Sequence, residues 1–412
     1  MSHLFKQPPY QFDAFGRLRS SEPFTLGDYK HLYGIDPNFL DVVANNATAT
    51  YDRNKAAVTL ATSNSSNSYV IHQTKMYHHY MPGKSQFIFS SFCFGANTIN
   101  VTKRAGYFDD KNGIFFEQAG NNELSWTVRS FVTNTAVDNR ISQNYWNVDK
   151  CDGTGPSGFV IDTTKTQLAT IDFEWLGVGS ARVGFVSNGE FITAHRFDCA
   201  NYSNTVYMSN PNLPVRCEIR NVGPTTGGSM DQICSTVMSE GGYIEAGIDW
   251  SVSSNTRNVL TSNSLPVIAI RLSNTFKGYE NRVIARLGNI NVFSDTDNIK
   301  YDIIKISNPA FLVGGTWVAV NANSAVEYNA TAISYQDGDM LDGGFVTAAA
   351  GQGQSGKNIG GAPSPNIPST AKKNFIVQNF DSSNSEIFVI AARSIGTSNT
   401  GVAVNMQWRE IF

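Results

Sequence analysis

The stretch Ala169 to Phe197, ATIDFEWLGVGSARVGFVSNGEFITAHRF, constrains the fold more than any other. Ile171, Phe173 and Trp175 alternate with Asp172 and Glu174. Gly177 and Gly179 break the run, and Val183 and Phe185 resume it. Ser187-Asn188-Gly189 is a turn, because Asn-Gly tolerates positive φ at both central positions. Period-two alternation bounded by such turns predicts consecutive antiparallel strands with one buried face. Much of the chain is expected to pair with this meander.

The rest of the chain repeats the style. Strands are expected at Gln86 to Phe94, with Phe87 and Phe89 on one face, then at Val101 to Arg104, Ile114 to Glu117 and Leu124 to Val132. Further strands are expected at Val215 to Arg220, Ile233 to Met238, Leu265 to Leu272, Arg282 to Val292 and Tyr301 to Ile306. Three closing strands follow at Phe375 to Phe380, Glu386 to Arg393 and Gly401 to Arg409. One short helix is expected around Leu26 to Tyr33. Charged residues are only 16% of 412, so Gly, Asn, Ser and Thr fill the surface, which suits short strands and turns better than helices. The expected class is mostly β: a lectin-like or jelly-roll β-sandwich with a second β domain and an extended N-terminal arm. Residues 1–65 are read as the arm and 66–225 as the sandwich. Residues 226–412 are read as a second β domain, or strands completing the sandwich, with an exposed loop at 349–372.

A net charge of −3 disfavours a general nucleic-acid binder. Five widely spaced cysteines without a CxxC pair read as free buried thiols. The N-terminal residues lack the apolar core of a secretory signal, and no 18-residue apolar run predicts a membrane span. The expected setting is therefore synthesis in a cytoplasm.

Candidate chemistry is sparse. His72 and His78 share a strand, but no ligand partner has metal spacing. Asp172 and Glu174 suggest a glycosidase pair, against which stands a solvated strand face paired with Arg182 or a lysine. Asp337, Asp339 and Asp342 lack a full calcium-loop pattern. The GQGQSGK run departs from a phosphate loop, and no GxSxG elbow exists. No catalytic residue, cofactor or metal is therefore expected, and the chain is read as a non-enzyme. Tyr145, Trp146 and Trp250 are candidates for stacking on sugars, with core packing as the alternative for each.

Several segments together are more telling: FDAFGRLRSSEPFTL, PGKSQFIFSSF, RAGYFDDKNGIFFE, IDFEWLGVGSARVGFV and NPNLPVRCEIRN. As a set they resemble virion structural proteins of tailed phages and related large DNA viruses, best over Phe12 to Arg220. The resemblance implies a particle component of tail, baseplate, fibre or capsid-decorating kind. Its expected partners are copies of itself and other virion proteins, and it carries over no catalytic residues. It gives the arm a role, with Phe12, Phe15, Arg17, Arg19 and Phe24 at an assembly interface. The alternative is a carbohydrate-binding module or glycan hydrolase on a lectin-like sandwich, whose partner would be a host-surface glycan.

Overall fold

The structure is a computed structural model and describes residues 22–348, 375–380 and 384–412. The chain divides into two compact units. Among the described residues, the first comprises residues 22–35, 43–71 and 80–244; the second comprises 36–42, 72–79 and those from 245 onward. Among the described residues the helical pieces are two single 3-10 turns, Gln143–Tyr145 and Pro309–Phe311. The fold is mostly β, in antiparallel sheets, as the alternation predicts.

Among the described residues, fifteen strands precede residue 245. They are β1 Pro23–Lys30, β2 Phe39–Ala44, β3 Thr48–Asp52, β4 Ala57–Ala61, β5 Tyr69–Thr74, β6 Ser85–Cys93, β7 Val101–Phe108 and β8 Gly113–Gln118. Then come β9 Leu124–Ser130, β10 Val137–Ser142, β11 Gln167–Phe173, β12 Ala181–Ser187, β13 Glu190–Phe197, β14 Val215–Asn221 and β15 Ser229–Glu240. One sheet has the order β13-β12-β11-β6-β15-β4-β3, with β1 also on β15; the other has the order β10-β9-β8-β7-β14-β5-β2.

The two sheets face each other across an aromatic core. From the second sheet, Phe116 meets Phe185 of the first edge-on at 5.1 Å, and Trp126 lies 5.6 Å from Phe185. Tyr107 meets Phe173 at 5.8 Å. Such tilted and edge-on pairs add to the apolar area they bury, which makes this interior the main stabilising element of the unit. The meander β11-β12-β13 is present as read from the sequence. Its tight turn has φ of 52° at Asn188 and 78° at Gly189, the geometry that Asn-Gly allows cheaply.

Three expectations are corrected. The helix around Leu26 to Tyr33 is instead the end of β1, which pairs with β15 from Pro23↔Glu240 to Lys30↔Cys234. An unpaired edge on β15 is a stronger demand than local propensity. Residues 23–61 likewise supply β1 to β4 rather than a free arm, so an arm can reach only to about residue 21. The first unit also extends past residue 225, because β15 is the neighbour of β6 across most of its length. Phe12, Phe15, Arg17, Arg19 and the loop at 349–372 lie outside the described residues.

The second unit is a sandwich of its own. One sheet is built on the long strands Ile284–Ser294 and Thr400–Ile411; the other is built on Leu265–Leu272, Ile387–Ser394 and Ile299–Ile306. Their inner faces share one core that includes Ile270, Ile303, Phe388, Val404, Met406 and Trp408. The closing strands expected near the end of the chain are part of that core.

Candidate functional site

The two sheets of the first unit treat their outer faces differently. On the second sheet the outward residues are charged, and they are closed over one another. Arg104 bonds Glu117 at 2.5 Å and Glu218 at 3.3 Å. Arg140 bonds Glu117 at 2.8 Å and Asp138 at 2.9 Å, and Arg129 bonds Asp138 at 2.7 Å. Arg216 bonds Glu218 at 2.6 Å and Asp110 at 2.9 Å. The guanidinium groups of Arg129 and Arg104 lie 5.1 and 5.4 Å from the centre of the Phe115 ring, and that of Arg216 lies 5.2 Å from Phe108. Burial alone would raise the Glu218 carboxyl, but Arg216, Arg104 and Arg220 outweigh it and hold it down at about 2. The result is a plate of mutually satisfied charge lying over aromatic rings. It offers little to a ligand.

The larger sheet is the opposite case. Its registers define rows of outward side chains across the strands. One row runs Thr193, Gly184, Thr170, Phe89, Thr236 and Asp28, from β13 to β1. The next runs Arg196, Arg182, Asp172, Phe87, Met238 and Thr25. Phe87 and Phe89 touch edge to face at 4.6 Å. Phe191, 63% exposed, leans across from β13 to within 5.7 Å of Phe87 and 5.9 Å of Phe89.

Two hollows lie on this face. One, of about 230 Å³, is bounded by Phe87, Phe191, Thr170, Thr193, Asp172 and Arg182. Beside it, a β-bulge between Val183 and Gly184 brings the Ile192 carbonyl oxygen within 2.0 Å of where a Cβ on Gly184 would sit, so that position demands glycine. The Asp172 carboxylate accepts from the Arg182 guanidinium, so the hollow is lined by a neutral pair rather than a free acid. The other is a groove of about 410 Å³, almost wholly apolar, lined by Tyr29, Leu32, Phe89, Leu168, Ile233 and Cys234 among others.

The sequence-derived candidates fall in different places. Phe24 stacks on Tyr243 of its own unit at 4.9 Å and 12°, so its ring is engaged within the chain and not held out for a neighbour. Trp146 is buried, 6.3 Å from Phe185, and its indole N–H donates to the Ile141 carbonyl at 3.0 Å. It is a core residue and not a stacking platform. Tyr145 beside it is 77% exposed. Trp250 packs its side chain against the core of the second unit. Its strand borders a polar depression of about 560 Å³ where Arg409 grips Asp249 with two bonds of 2.7 Å.

The structure also separates the supposed glycosidase pair. Asp172 is engaged by Arg182, the arrangement weighed against catalysis. Glu174 lies beyond the end of β11, where its N–H donates to the Ser180 carbonyl at 3.1 Å. His72 bonds Asp41 at 2.5 Å and stacks on Phe39 at 4.2 Å. Among the described residues no group of three or more His, Cys, Asp or Glu side chains is placed to hold a metal ion. The Phe87, Phe89 and Phe191 cluster went unassigned in the sequence. Alternation put Phe87 and Phe89 on one face, but nothing local said that this face was the outer one.

These features define a two-unit β-sandwich protein with one sealed and one open sheet face in its first unit. No family model matches the sequence, and no curated protein matches it. Among solved structures, it is similar to the CBM2 module of the evolved Dit of Lactobacillus casei BL23 phage J-1 at 7% identity and a TM-score of 0.33, over 55% of this chain and 100% of that one. It is similar to a β-1,3-glucanase from Mycobacterium marinum at 11% identity and a TM-score of 0.34, over 52% and 98%. It is similar to a legume lectin-like domain from Entamoeba histolytica at 10% identity and a TM-score of 0.32, over 52% and 97%. No helix among the described residues is long and apolar enough to cross a membrane.

Proposed function

We propose that this protein is a non-enzymatic structural component of a virus particle. It assembles with copies of itself when residues 1–21 of one copy enter the apolar groove beside β1 of the next. The observation that carries the reading is the contrast between the two outer faces. One is closed by ion pairs, while the other keeps an apolar groove next to the strand that follows the N-terminal segment. That segment contains Phe5, Tyr10, Phe12 and Phe15, with Arg17 and Arg19 behind them. Fully extended, 21 residues reach roughly 70 Å, enough to span to a neighbour. Each phenylalanine that becomes fully buried contributes about 1.5–3 kcal/mol, so Phe12 and Phe15 together suffice to matter for association.

Light scattering on the full chain and on a chain lacking residues 1–21 tests the reading. Defined oligomers for the first and monomers for the second are expected. A full-length chain that is monomeric, or a truncated one that assembles as before, would overturn it. The groove is tested separately. Cys234 lines it as a free, exposed thiol, so Phe12→Cys should give intermolecular disulfides on mild oxidation. They should disappear in Phe12→Cys with Cys234→Ser.

A further inference from the structure

We propose that the 230 Å³ hollow on the open face binds a single neutral pyranose residue at the end of a carbohydrate chain. The inference does not rest on the assembly reading, since the hollow and the groove are separate parts of the sheet. Its lining combines the two things a sugar ring needs. Phe191 offers an exposed aromatic surface for the C–H face of a pyranose, and Phe87, 5.7 Å away and nearly perpendicular, forms a second apolar wall. Beside Phe87 in the same row stand Asp172 and Arg182, an acceptor and a donor joined by their mutual bond. Thr170 and Thr193 flank Gly184 in one row of the sheet, so their hydroxyl-bearing side chains stand two strands apart, roughly 10 Å. Sugar hydroxyls match this mixture of hydroxyl, carboxylate and guanidinium groups.

Charge and size narrow the class. The ion pair leaves the hollow without net charge, so it does not select an anion such as a sialic acid or a phosphate. Its volume lies below the roughly 300–1,000 Å³ of pockets that enclose drug-sized ligands, which fits one ring and not a chain of them. The position is preorganised. Asp172 and Arg182 sit directly opposite on paired strands, and Val183 and Ile192 of the paired strands β12 and β13 complete the lining.

The experiment is a glycan array carrying neutral and sialylated oligosaccharides, probed with the full chain and with Asp172→Asn and Phe191→Ala. Both side chains face outward, and thermal unfolding of each variant confirms that it folds. Binding to neutral hexose- or N-acetylhexosamine-terminated glycans is expected, with at least about tenfold loss in each variant and retention in Phe191→Trp. No binding on the array, preference for sialylated chains, or binding unchanged in both variants would overturn the proposal. Light scattering of the same samples reports assembly independently, so failure of one reading is distinguishable from failure of the other.

Discussion

Arg216 donates to Glu218 at 2.6 Å with both side chains almost wholly out of water. The pair is the inner joint of the charged plate, because Glu218 also receives Arg104 at 3.3 Å and Arg220 at 3.1 Å. Removing one partner of a buried pair leaves the other uncompensated, which costs about 3–5 kcal/mol. Glu218→Ala should therefore lower the urea midpoint of the first unit strongly. Arg220→Ala, at the more exposed rim, should cost about 1 kcal/mol or less. Equal effects from the two would mean that the plate does not act as described.

The same carboxyl sets an acid limit. Its folded pKa of about 2 lies below the ordinary 4.5, so its contribution is complete above about pH 4.5 and is lost as pH falls towards 2. Asp138 acts in the same direction: burial would raise it, but the Arg129 and Arg140 guanidiniums hold it below its usual value. Denaturation of wild type and Glu218→Gln across pH 2 to 6 should show two curves that converge at the acid end. A gap independent of pH would contradict the assignment.

How much of this was legible beforehand depends on distance along the chain. The meander was legible because its alternation and its Asn188-Gly189 turn are local. β1 was not, because its partner lies some 200 residues away, at Tyr29↔Ser235. The charged plate shows the same limit. Arg216, Glu218 and Arg220 alternate in sequence, share a face and pair with one another, but Arg104 and Asp110, which also bond them, lie about a hundred residues earlier. Trp146 and Phe191 make the point in reverse. A tryptophan offered as a sugar platform is core, and a phenylalanine assigned no role from the sequence stands in solvent, because alternation assigns faces but does not say which face is covered.

Gly184 gives a steric test of the open face. With the Ile192 carbonyl 2.0 Å from its would-be Cβ, Gly184→Ala forces β12 and β13 apart. Overpacking of this kind costs about 1–3 kcal/mol. Gly189→Ala is the contrast, since a Cβ there meets nothing within 4 Å, and only the positive φ of 78° opposes it. Thermal unfolding should rank Gly184→Ala as the more damaging substitution.

In the second unit, Glu410 is buried, and among the described residues no cationic side chain bonds it. Its carboxylate accepts from the Ser324 hydroxyl at 2.5 Å, the Ala325 N–H at 2.9 Å and the Trp408 indole N–H at 3.0 Å. Three donors converge on one side chain near the end of the chain and tie the strand Thr400–Ile411 to the loop before Val326. Glu410→Ala would orphan them, at about 1–3 kcal/mol for each donor that water cannot reach. Glu410→Gln keeps one acceptor oxygen and should lose less. Equal losses would mean that packing, and not the donors, sets the cost.

Lys103 supplies an alkaline test. It lies on β7, almost fully buried, and its Nζ donates to the Phe94 carbonyl at 2.5 Å and the Ala96 carbonyl at 2.8 Å. Burial pushes its pKa down from 10.5 to about 8. Between those values the unfolded chain binds the extra proton, so this lysine makes the fold more stable as pH rises from about 8. The buried thiols oppose it: burial raises Cys217 to about 12, so above 9 their ionisation favours the unfolded chain. The difference between wild type and Lys103→Met separates the two effects, since the thiols are common to both. That difference in unfolding free energy should widen in favour of wild type from pH 7 to pH 9.5. A constant gap would show that Lys103 is held at its ordinary pKa, with the two carbonyls compensating its burial in full, and a narrowing gap would contradict the lowered pKa outright.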